Sequence, residues 1–252
     1  MNISFHTGKA SMIAQAQALN IYGNNIANIN TVGYQQIRPS FADCIYETYR
    51  RPEDDWQTGH STYIQKTDLL FSESHFQYTD RMLDIGIAGE GFFAVEDRWG
   101  QVNYTRDGAF GMTQDQELTD ENGDAVWYLV SGSGEYVLDN EKQRIVVPFE
   151  TTGDGERGEV NWGELTQMIG VFEFPNPYGI EAMGTNRYLE TERSGAAVAN
   201  PNAVKLQGTL VVSNVDLATQ MVKLIETQRA YQLSSRVVTT SDELARIANN
   251  LR

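Results

Sequence analysis

The residue patterns that could carry out chemistry are few, and a glycine-rich segment comes nearest to a known signature. Residues 153–158 read GDGERG, the GxGxxG spacing with which dinucleotide-binding proteins cradle a pyrophosphate. That chemistry requires a helix directly behind the last glycine and backbone amides that are open to an anion. The following residues 159–163 do not predict a helix, and the two carboxylates of the segment repel phosphate. The segment is therefore predicted to be a surface loop.

The sequence motifs give equally little support for metal binding or nucleophilic catalysis. Residues 120–124 read DENGD, which resembles the start of a calcium-binding loop. The glycine is at the fourth position rather than the sixth, however, and no glutamate occupies the twelfth. Asn122 and Gly123 instead predict a hairpin turn. The GxSxG signature is absent, and residues 131–134 (GSG after a serine) predict a flexible loop. No zinc-ligand spacing links the three histidines, which are His6, His60 and His75.

The single cysteine and the many acids add no catalytic site. Cys44 is the only cysteine, so an intramolecular disulfide and a CxxC site are excluded. With 34 acidic residues, some carboxylate pair will be close in space, so abundance alone does not indicate glycoside hydrolysis. We predict no catalytic residue, no cofactor, no metal site and no small-molecule substrate, and hence a protein that is not an enzyme. A carbohydrate-binding or glycoside-hydrolysing β domain remains the alternative from a different class.

The overall composition describes a folded, acidic protein. The 252 residues are 40% hydrophobic and 21% charged, which argues against wholesale disorder. The net charge of −15 argues against nucleic-acid binding, which requires a basic surface. The sequence contains no run of about 18 consecutive apolar residues, so no membrane-spanning helix is predicted. The N-terminus lacks the layout of a secretory signal, so any export is expected to proceed without signal cleavage.

The charge is concentrated in the middle of the chain. Residues 51–208 carry 11 basic and 28 acidic side chains, whereas residues 1–50 and 209–252 each have a net charge of +1. The middle therefore supplies solubility, and the two near-neutral ends are predicted to contact other molecules.

The first end predicts a heptad helix that closes in an asparagine-rich turn. Its apolar stripe recurs every seven positions, at Phe5, Met12, Leu19 and Ile26. Asparagine favours helix ends and Gly33 is a plausible terminator. Residues 1–34 are therefore predicted to form a helix and a turn shaped by Asn24, Asn25, Asn28, Gly33 and Tyr34.

The last forty residues predict a second heptad helix. Residues 213–216 (SNVD) resemble a helix start, with a capping serine and an acid three positions later. A stripe follows at seven-residue spacing, at Leu217, Leu224, Tyr231 and Val238. About 35 helical residues would span roughly 50 Å. This stripe alone does not recover the ordering cost of so long a helix, so the helix needs the N-terminal helix and neighbouring molecules as partners.

The middle of the chain predicts an antiparallel β domain. Leu83, Ile85 and Ile87 alternate with polar or small residues, as in a half-buried strand, and turn signals recur every 8–12 residues or so. The predicted class is α+β, with long terminal helices that pair as a coiled coil around a central β domain. The predicted segments are helix and turn 1–34, an extended connector 35–78, the acidic β domain 79–208 and the C-terminal helix 209–252.

Four blocks of this sequence resemble the bacterial flagellar rod and hook protein family. They occur in the family's order along the chain, and four together are highly specific. The blocks are NNIANINTVGY at 24–34, LDI with GEGFF at 83–93, YTRDG with Phe110 at 104–110, and QG, SNV and QRAY between 207 and 231.

The resemblance implies an axial subunit of the flagellar basal body. In that family the terminal helices pair as a coiled coil lining a tube, the β domain lies outside, and subunits assemble helically. Subunits of the family travel unfolded through the flagellar export apparatus and associate with other rod and hook proteins. The short chain is more similar to the rod proteins than to the longer hook protein, and both the distal and the proximal rod type stay open.

Two departures from the family pattern concern specific positions. A lysine usually follows the Gly-Tyr or Gly-Phe pair, whereas Gln35 follows Tyr34 here. The stretch 127–136 is also atypical, so the outer face of the β domain is expected to differ.

Overall fold

The computed structural model describes residues 3–44, 46–50, 55–59, 61–71, 75–119, 125–151 and 157–250. The turn predicted at Asn122 and Gly123, most of the predicted loop 153–158 and His60 lie outside these residues. The α-helices are α1 (Ile3–Ala27), α2 (Trp162–Met168) and α3 (Leu217–Asn250), and a 3-10 helix covers Pro177–Gly179.

The strands lie between the two long helices. The first five are β1 (Ile37–Asp43), β2 (Tyr46–Arg50), β3 (Asp55–Gly59), β4 (Thr62–Leu69) and β5 (Phe76–Tyr78). The next seven are β6 (Ile85–Ala88), β7 (Phe92–Glu96), β8 (Val102–Thr105), β9 (Phe110–Thr119), β10 (Ala125–Ser131), β11 (Tyr136–Val137) and β12 (Phe149–Thr151). The last seven are β13 (Arg157–Val160), β14 (Val171–Glu173), β15 (Glu181–Gly184), β16 (Arg187–Leu189), β17 (Val198–Ala199), β18 (Val204–Gln207) and β19 (Thr209–Val211). These elements agree with the predicted α+β class and its antiparallel β region.

Two compact units divide the chain. The helical unit comprises Met1–Ile29, Gln36–Leu70 and Val215–Arg252, and the β unit comprises Asn30–Gln35 and Phe71–Asn214. The segment boundaries thus differ from the predicted ones. Residues 36–70 group with the terminal helices, and β19 occupies positions that were predicted as the start of the C-terminal helix.

The helical unit contains strands where an extended connector was predicted. β1 and β4 form an antiparallel ladder from Ile37 opposite Leu69 to Asp43 opposite Thr62, and β2 pairs with β3. Both β1 and β4 pack against α1, which packs in turn against α3. The connector pattern was irregular because a β-bulge between Ser40 and Phe41 interrupts the two-residue alternation.

The β unit is built around one antiparallel sheet. Its strand order is β15-β16-β8-β7-β11-β10-β9, and β14 pairs with both β7 and β17. Apolar side chains of these strands, of β6, of α2 and of the connecting segments form the core, which includes Ile85, Ile87, Phe93, Val95, Phe110, Leu129, Val137, Ile145, Leu165 and Ile169. Burial of this apolar surface is the main stabilising term for the unit.

Strand β6 is buried on both faces, whereas alternation predicted a half-buried strand. Ile85, Gly86 and Ile87 are all buried. A side chain at Gly86 would begin 3.1 Å from the Thr209 hydroxyl and 3.4 Å from the Phe76 ring. Glycine therefore lets neighbouring side chains cover the face that the sequence pattern assigned to solvent.

Helix α2 begins where the sequence analysis predicted no helix. The Asn161 side chain caps it, accepting a hydrogen bond from the Glu164 backbone N–H at 3.2 Å. The pattern of Asn161 followed three residues later by Glu164 is a capping signal that the analysis overlooked. The glycine-rich segment nevertheless lacks the dinucleotide arrangement, because its last glycine, Gly158, lies in strand β13 and not directly before a helix.

Helix α3 begins at Leu217, so its N-cap residue lies three positions after the predicted one. Asp216, rather than Ser213, caps it: its carboxylate accepts hydrogen bonds from the Ala218 and Thr219 N–H groups and from the Thr219 hydroxyl. The bonds from Thr219 hold the pKa of Asp216 below its ordinary value, because they stabilise the carboxylate.

The block at 104–108 stabilises the tight turn between β6 and β7 through hydrogen bonds. The buried Arg106 donates from Nε to the Gly91 carbonyl at 3.0 Å and from an Nη to the Gly89 carbonyl. Its guanidinium also lies over the Phe92 ring, 5.6 Å from the centroid. Burial lowers the pKa of Arg106. The two blocks of the sequence, GEGFF and YTRDG, are therefore parts of one hydrogen-bonded arrangement.

Asp107 makes the stability of the β unit depend on pH. Burial raises the pKa of its carboxyl and neighbouring Asp84 adds to the rise, against the hydrogen bond from the Ala109 N–H. A carboxyl with a raised pKa binds its proton more tightly in the folded state, so it destabilises the fold as pH rises through the unfolded value of roughly 4. Asn cannot ionise and keeps the acceptor for Ala109. We expect Asp107→Asn to raise the melting temperature at pH 7, with the gain shrinking toward pH 4.

The measurement is a series of thermal melts of both proteins between pH 4 and pH 7.5. Glu192→Gln is the control, because it removes the same charge from an exposed position. A melting-temperature difference that stays constant across this range, or matches the difference for Glu192→Gln, would contradict the assignment.

Candidate assembly surface

The two terminal helices pair in an antiparallel fashion within the helical unit. Gly8 of α1 lies against Val238 of α3, and the Ser11 and Ser234 hydroxyls are 3.0 Å apart. A β-carbon added at Gly8 would lie 2.8 Å from a methyl group of Val238. Absence of a side chain at this position therefore permits the close approach of the helices. The supercoiling expected of a coiled coil stays a prediction.

On α3, the side that faces α1 follows a spacing of three and four residues. Its buried or half-buried positions are Gln220, Leu224, Thr227, Tyr231, Ser234, Val238 and Ser241. Three of the four predicted stripe residues, Leu224, Tyr231 and Val238, are half-buried on this side. The fourth, Leu217, is 39% exposed in the first turn. Sequence reasoning missed the polar members because it counted apolar residues only. The alternation of three- and four-residue steps along the whole set could have identified them.

On α1, small residues occupy the most buried positions. Gly8, Ala14, Ala18 and Asn25 are buried, whereas the predicted stripe is less so: Phe5 is exposed, and the half-buried residues are Met12, Leu19 and Ile26. Small side chains are buried here because they let neighbouring backbones approach. The larger stripe residues keep part of their apolar surface available in a single copy.

Several apolar side chains of α3 are poorly covered within a single copy. More than a third of the surface of each remains exposed, and they are Leu217, Met221, Val222, Ile225, Leu233, Val237, Leu244 and Ile247. Positions 242–250 are exposed throughout. A helix with apolar residues on several sides is normally covered on several sides. An exposed apolar surface of this kind is typical of a protein that associates through it.

Asn25 is the central residue of the predicted turn. Its buried side chain accepts a hydrogen bond from the Ile37 N–H at 3.0 Å and donates to the Ile37 carbonyl at 2.8 Å. It also donates to the Gln220 side chain at 3.1 Å. One amide thus connects the end of α1, the start of β1 and the first turns of α3.

Asn28 closes the C-terminal end of α1. Its side-chain amide donates to the Asn24 carbonyl at 2.8 Å and to the Asn24 side-chain oxygen at 2.9 Å. The Asn28 backbone N–H bonds to the same carbonyl. These bonds satisfy a carbonyl at the helix end, which explains the run of asparagines there.

The remaining turn residues, Gly33 and Tyr34, belong to the β unit. Gly33 has φ of 69° and donates its N–H to the Val211 carbonyl at 2.8 Å. A β-carbon there would lie 2.6 Å from the Arg106 carbonyl carbon, so glycine is needed for both space and conformation. Tyr34 is buried, and burial raises the pKa of its phenol. The structure thus divides the predicted turn between the two units.

Gln35 replaces the lysine of the family pattern at a buried position. Its side chain is 1% exposed, donates to the Gly33 carbonyl at 3.4 Å and accepts from the Asn214 side chain at 3.1 Å. A charged ammonium at this position would have to leave water, whereas a neutral amide is satisfied by these partners. The corner is therefore held by neutral hydrogen bonds.

The net charge resides entirely in the β unit. It contains 24 acidic and 9 basic residues, whereas the helical unit contains 10 of each. The unit with the exposed apolar helix is thus neutral, and close packing of several copies through it meets no net repulsion.

Other site types have little basis in the described part of the chain. No group of three or more potential metal ligands occurs there, and no described helix is long and apolar enough to cross a membrane. Cys44 is half-buried and reduced. A cavity of about 40 Å³ in the β unit is lined by Phe71, Phe92, Phe174, Arg106 and Glu173 among others. That volume holds only a few water molecules.

Three family models match successive parts of this chain. They are described as "Flagella basal body rod protein" (residues 6–35), "Flagellar hook protein FlgE/F/G D1 domain" (86–160) and "Flagellar basal body rod FlgEFG protein C-terminal" (206–251). Curated relatives align over nearly the whole chain. The Borreliella burgdorferi relative is 33% identical, covering 98% of this chain and 97% of its own. The Bacillus subtilis relative is 32% identical, covering 99% and 98%.

The chain belongs to the flagellar basal-body rod protein family. Both of these relatives are named flagellar basal-body rod protein FlgG. A Bacillus subtilis protein named flagellar hook-basal body complex protein FlhP is also similar, at 25% identity over 99% of each chain. The family places this protein in the flagellar basal body, in association with other rod and hook proteins.

Proposed function

We propose that this chain is a structural subunit of the flagellar rod that polymerises helically through its terminal helices. The observation that carries the proposal is the exposed apolar surface of α3. Full burial of one such leucine, isoleucine or valine is worth about 1.5–3 kcal/mol. Seven such side chains and Met221 are substantially exposed in one copy, so association has a large driving force.

The predicted residues receive distinct roles in this proposal. Leu224, Tyr231 and Val238 pair α3 with α1 inside each subunit. The half-buried apolar residues of α1 and the exposed apolar residues of α3 contact neighbouring copies. Asn24, Asn25, Asn28, Gly33 and Tyr34 shape the passage from α1 into β1 and the β unit. The pairing of the helices as a coiled coil lining a hollow rod belongs to the same proposal.

Delivery and partners follow from the same assignment. We infer that the subunit reaches its site unfolded, through the flagellar export apparatus and without signal cleavage. Its neighbours are further copies of itself and other rod or hook proteins. A non-enzymatic role fits a structural family.

Two alternatives have weaker support. A hook-type subunit shares the helical ends and the D1 domain model, but the two nearly full-length FlgG relatives are named rod proteins. A carbohydrate-active β domain would require a binding cleft in the β unit, and the cavity of about 40 Å³ lined by Phe71, Phe92 and Arg106 is too small to be that cleft.

Salt is expected to promote assembly. Copies attract through the neutral helical unit and repel through the acidic β unit, and salt screens only the repulsion over the Debye length. Raising NaCl from about 20 to about 300 mM should lower the critical concentration for polymer formation at least about threefold. Sedimentation and electron microscopy of the concentrated protein measure this.

A variant of the β unit provides the matched control. Glu141→Gln/Glu181→Gln/Glu192→Gln removes three exposed negative charges and should flatten the salt dependence. If concentrated protein forms no filament or tube at any ionic strength tested, self-polymerisation is refuted. If polymers form but the critical concentration does not vary with salt, the role given to the β unit charge is refuted instead.

A further inference from the structure

A buried amide pair joins the two terminal helices. Asn25 and Gln220 are 0% and 1% exposed, and the Asn25 Nδ2 donates to the Gln220 Oε1 at 3.1 Å. The Asn25 side chain is held in position by its two hydrogen bonds to Ile37. Gln220 therefore meets an amide whose direction is already fixed, and a hydrogen bond forms only at one alignment of the helices.

This pair is one of several polar layers along α3. Gln220, Thr227, Ser234 and Ser241 recur every seven residues on the side facing α1. Ser234 meets Ser11, at equal distances along both helices from the Asn25–Gln220 pair. The same antiparallel register places Thr227 opposite Ala18. Thr227 needs no partner there, because its hydroxyl donates to the Lys223 carbonyl of its own helix at 2.7 Å.

Apart from the close contact of Gly8 with Val238, the apolar layers between them distinguish alignments less sharply than a hydrogen bond does. Leu224, Tyr231 and Val238 also recur every seven residues, and hydrophobic contacts are not directional. A slip of one heptad exchanges one apolar layer for the next. It also places the Gln220 amide opposite Ala18, which leaves a buried polar group without its partner.

We propose that the Asn25–Gln220 pair determines the register of α1 against α3. It is a positioning contact, as a single buried polar residue is in many coiled coils. The inference deepens the proposed function, on which its biological role rests, because in a polymer the helices of neighbouring copies offer α3 many similar apolar partners. A register fixed by the amide pair presents the outer faces of α3 identically in every copy.

The test is a competition between two disulfides in the full-length chain, each of which can form in only one alignment of the helices. In a Cys44→Ser background, Ser11→Cys is combined with Ser234→Cys, which reports the observed register, and Thr227→Cys, which reports the slipped one. The protein is equilibrated in a glutathione redox buffer, below the concentration at which it polymerises. Peptide mapping then gives the ratio of the two disulfides. Gln220→Met is compared with Gln228→Met, an exposed position of the same helix.

The observed-register disulfide should predominate by about tenfold or more in the parent and in Gln228→Met, and fall to within about threefold of the slipped one in Gln220→Met. Helicity by circular dichroism should stay unchanged, because methionine and glutamine have similar helix propensities. Gln220→Leu repeats the test with a second apolar side chain.

Equal disulfide ratios in Gln220→Met and Gln228→Met would overturn the proposal. So would a lowered melting temperature of Gln220→Met with an unaltered ratio, because the pair would then stabilise the helices without selecting their alignment. Since the ratio is measured on unpolymerised chains, its outcome is independent of whether the protein assembles.

Discussion

Leu224→Asp is expected to abolish polymer formation while leaving the β unit folded. Leu224 is half-buried on the side of α3 that packs against α1. Replacing it removes apolar contacts and places a carboxylate between the helices, at a cost of about 2–4 kcal/mol. The helical unit should lose much of its helicity by circular dichroism. Near-ultraviolet spectra, dominated by aromatic residues of the β unit, should persist, and electron microscopy should show no filaments.

Two further aspartate variants separate the faces of α3. Gln232→Asp adds the same charge at an exposed polar position and should retain the helical signal. Leu233→Asp alters a side chain that is 61% exposed, so it should keep the helical signal of the monomer and still prevent polymerisation. If Leu224→Asp polymerises normally, the pairing surface is wrongly assigned. If Leu233→Asp polymerises normally, that exposed side makes no contact between copies.

Gly108→Ala is expected to unfold the β unit. A β-carbon at Gly108 would lie 1.7 Å from the Ile85 carbonyl oxygen, a backbone atom that cannot move alone. Relief of this clash breaks the hydrogen bond from the Ile85 N–H to the Gly108 carbonyl, now 3.0 Å long. Ile85 and the adjacent Phe110 both belong to the core. We expect a loss of about 4 kcal/mol or more in the free energy of unfolding, measured by urea denaturation.

Gly111→Ala is the matched control, three residues along the chain. Its β-carbon would meet only a methyl group of Val130, at 3.9 Å. Because glycine in a strand is less favourable than alanine, this change should be neutral or stabilising by about 0.5–1 kcal/mol. Similar denaturation midpoints for both variants would show that the backbone at Gly108 adapts, contrary to the geometry.

The sequence predicted the two long helices, their pairing and the antiparallel β region, but not which individual side chains meet between distant parts of the chain. Heptad spacing located α1 and α3, because a seven-residue apolar repeat is a local signal that survives without knowledge of the fold. It did not predict that Gln220 and Asn25 are buried together, since their pairing joins positions 195 residues apart. Likewise, alternation at Ile85 and Ile87 located β6, but the contacts that cover Gly86 come from Phe76 and Thr209, which no local pattern reveals.

Other differences between prediction and structure concern helix caps that the sequence contains but that the predictions did not use. The cap formed by Asn161 and Glu164 marks the start of α2, and Asp216 is a better cap for α3 than Ser213 because its carboxylate accepts several bonds. For Gln35, the family pattern directed attention to a missing charge, whereas the structure shows a buried amide with neutral partners. The asparagines of the turn were singled out from the sequence, but their individual bonds required the three-dimensional structure.

The hydrogen bonds of Asn25 also dictate an order of events during folding. Its bonds to Ile37 join positions 12 residues apart, whereas its bond to Gln220 forms only after nearly the entire polypeptide is present. Contacts between such distant parts of a chain form late, because closing a long loop is entropically costly. The continuous stretch Phe71–Asn214 faces no such delay. A partly synthesised molecule therefore has an incomplete helical unit, which can finish folding only when its last segment is present.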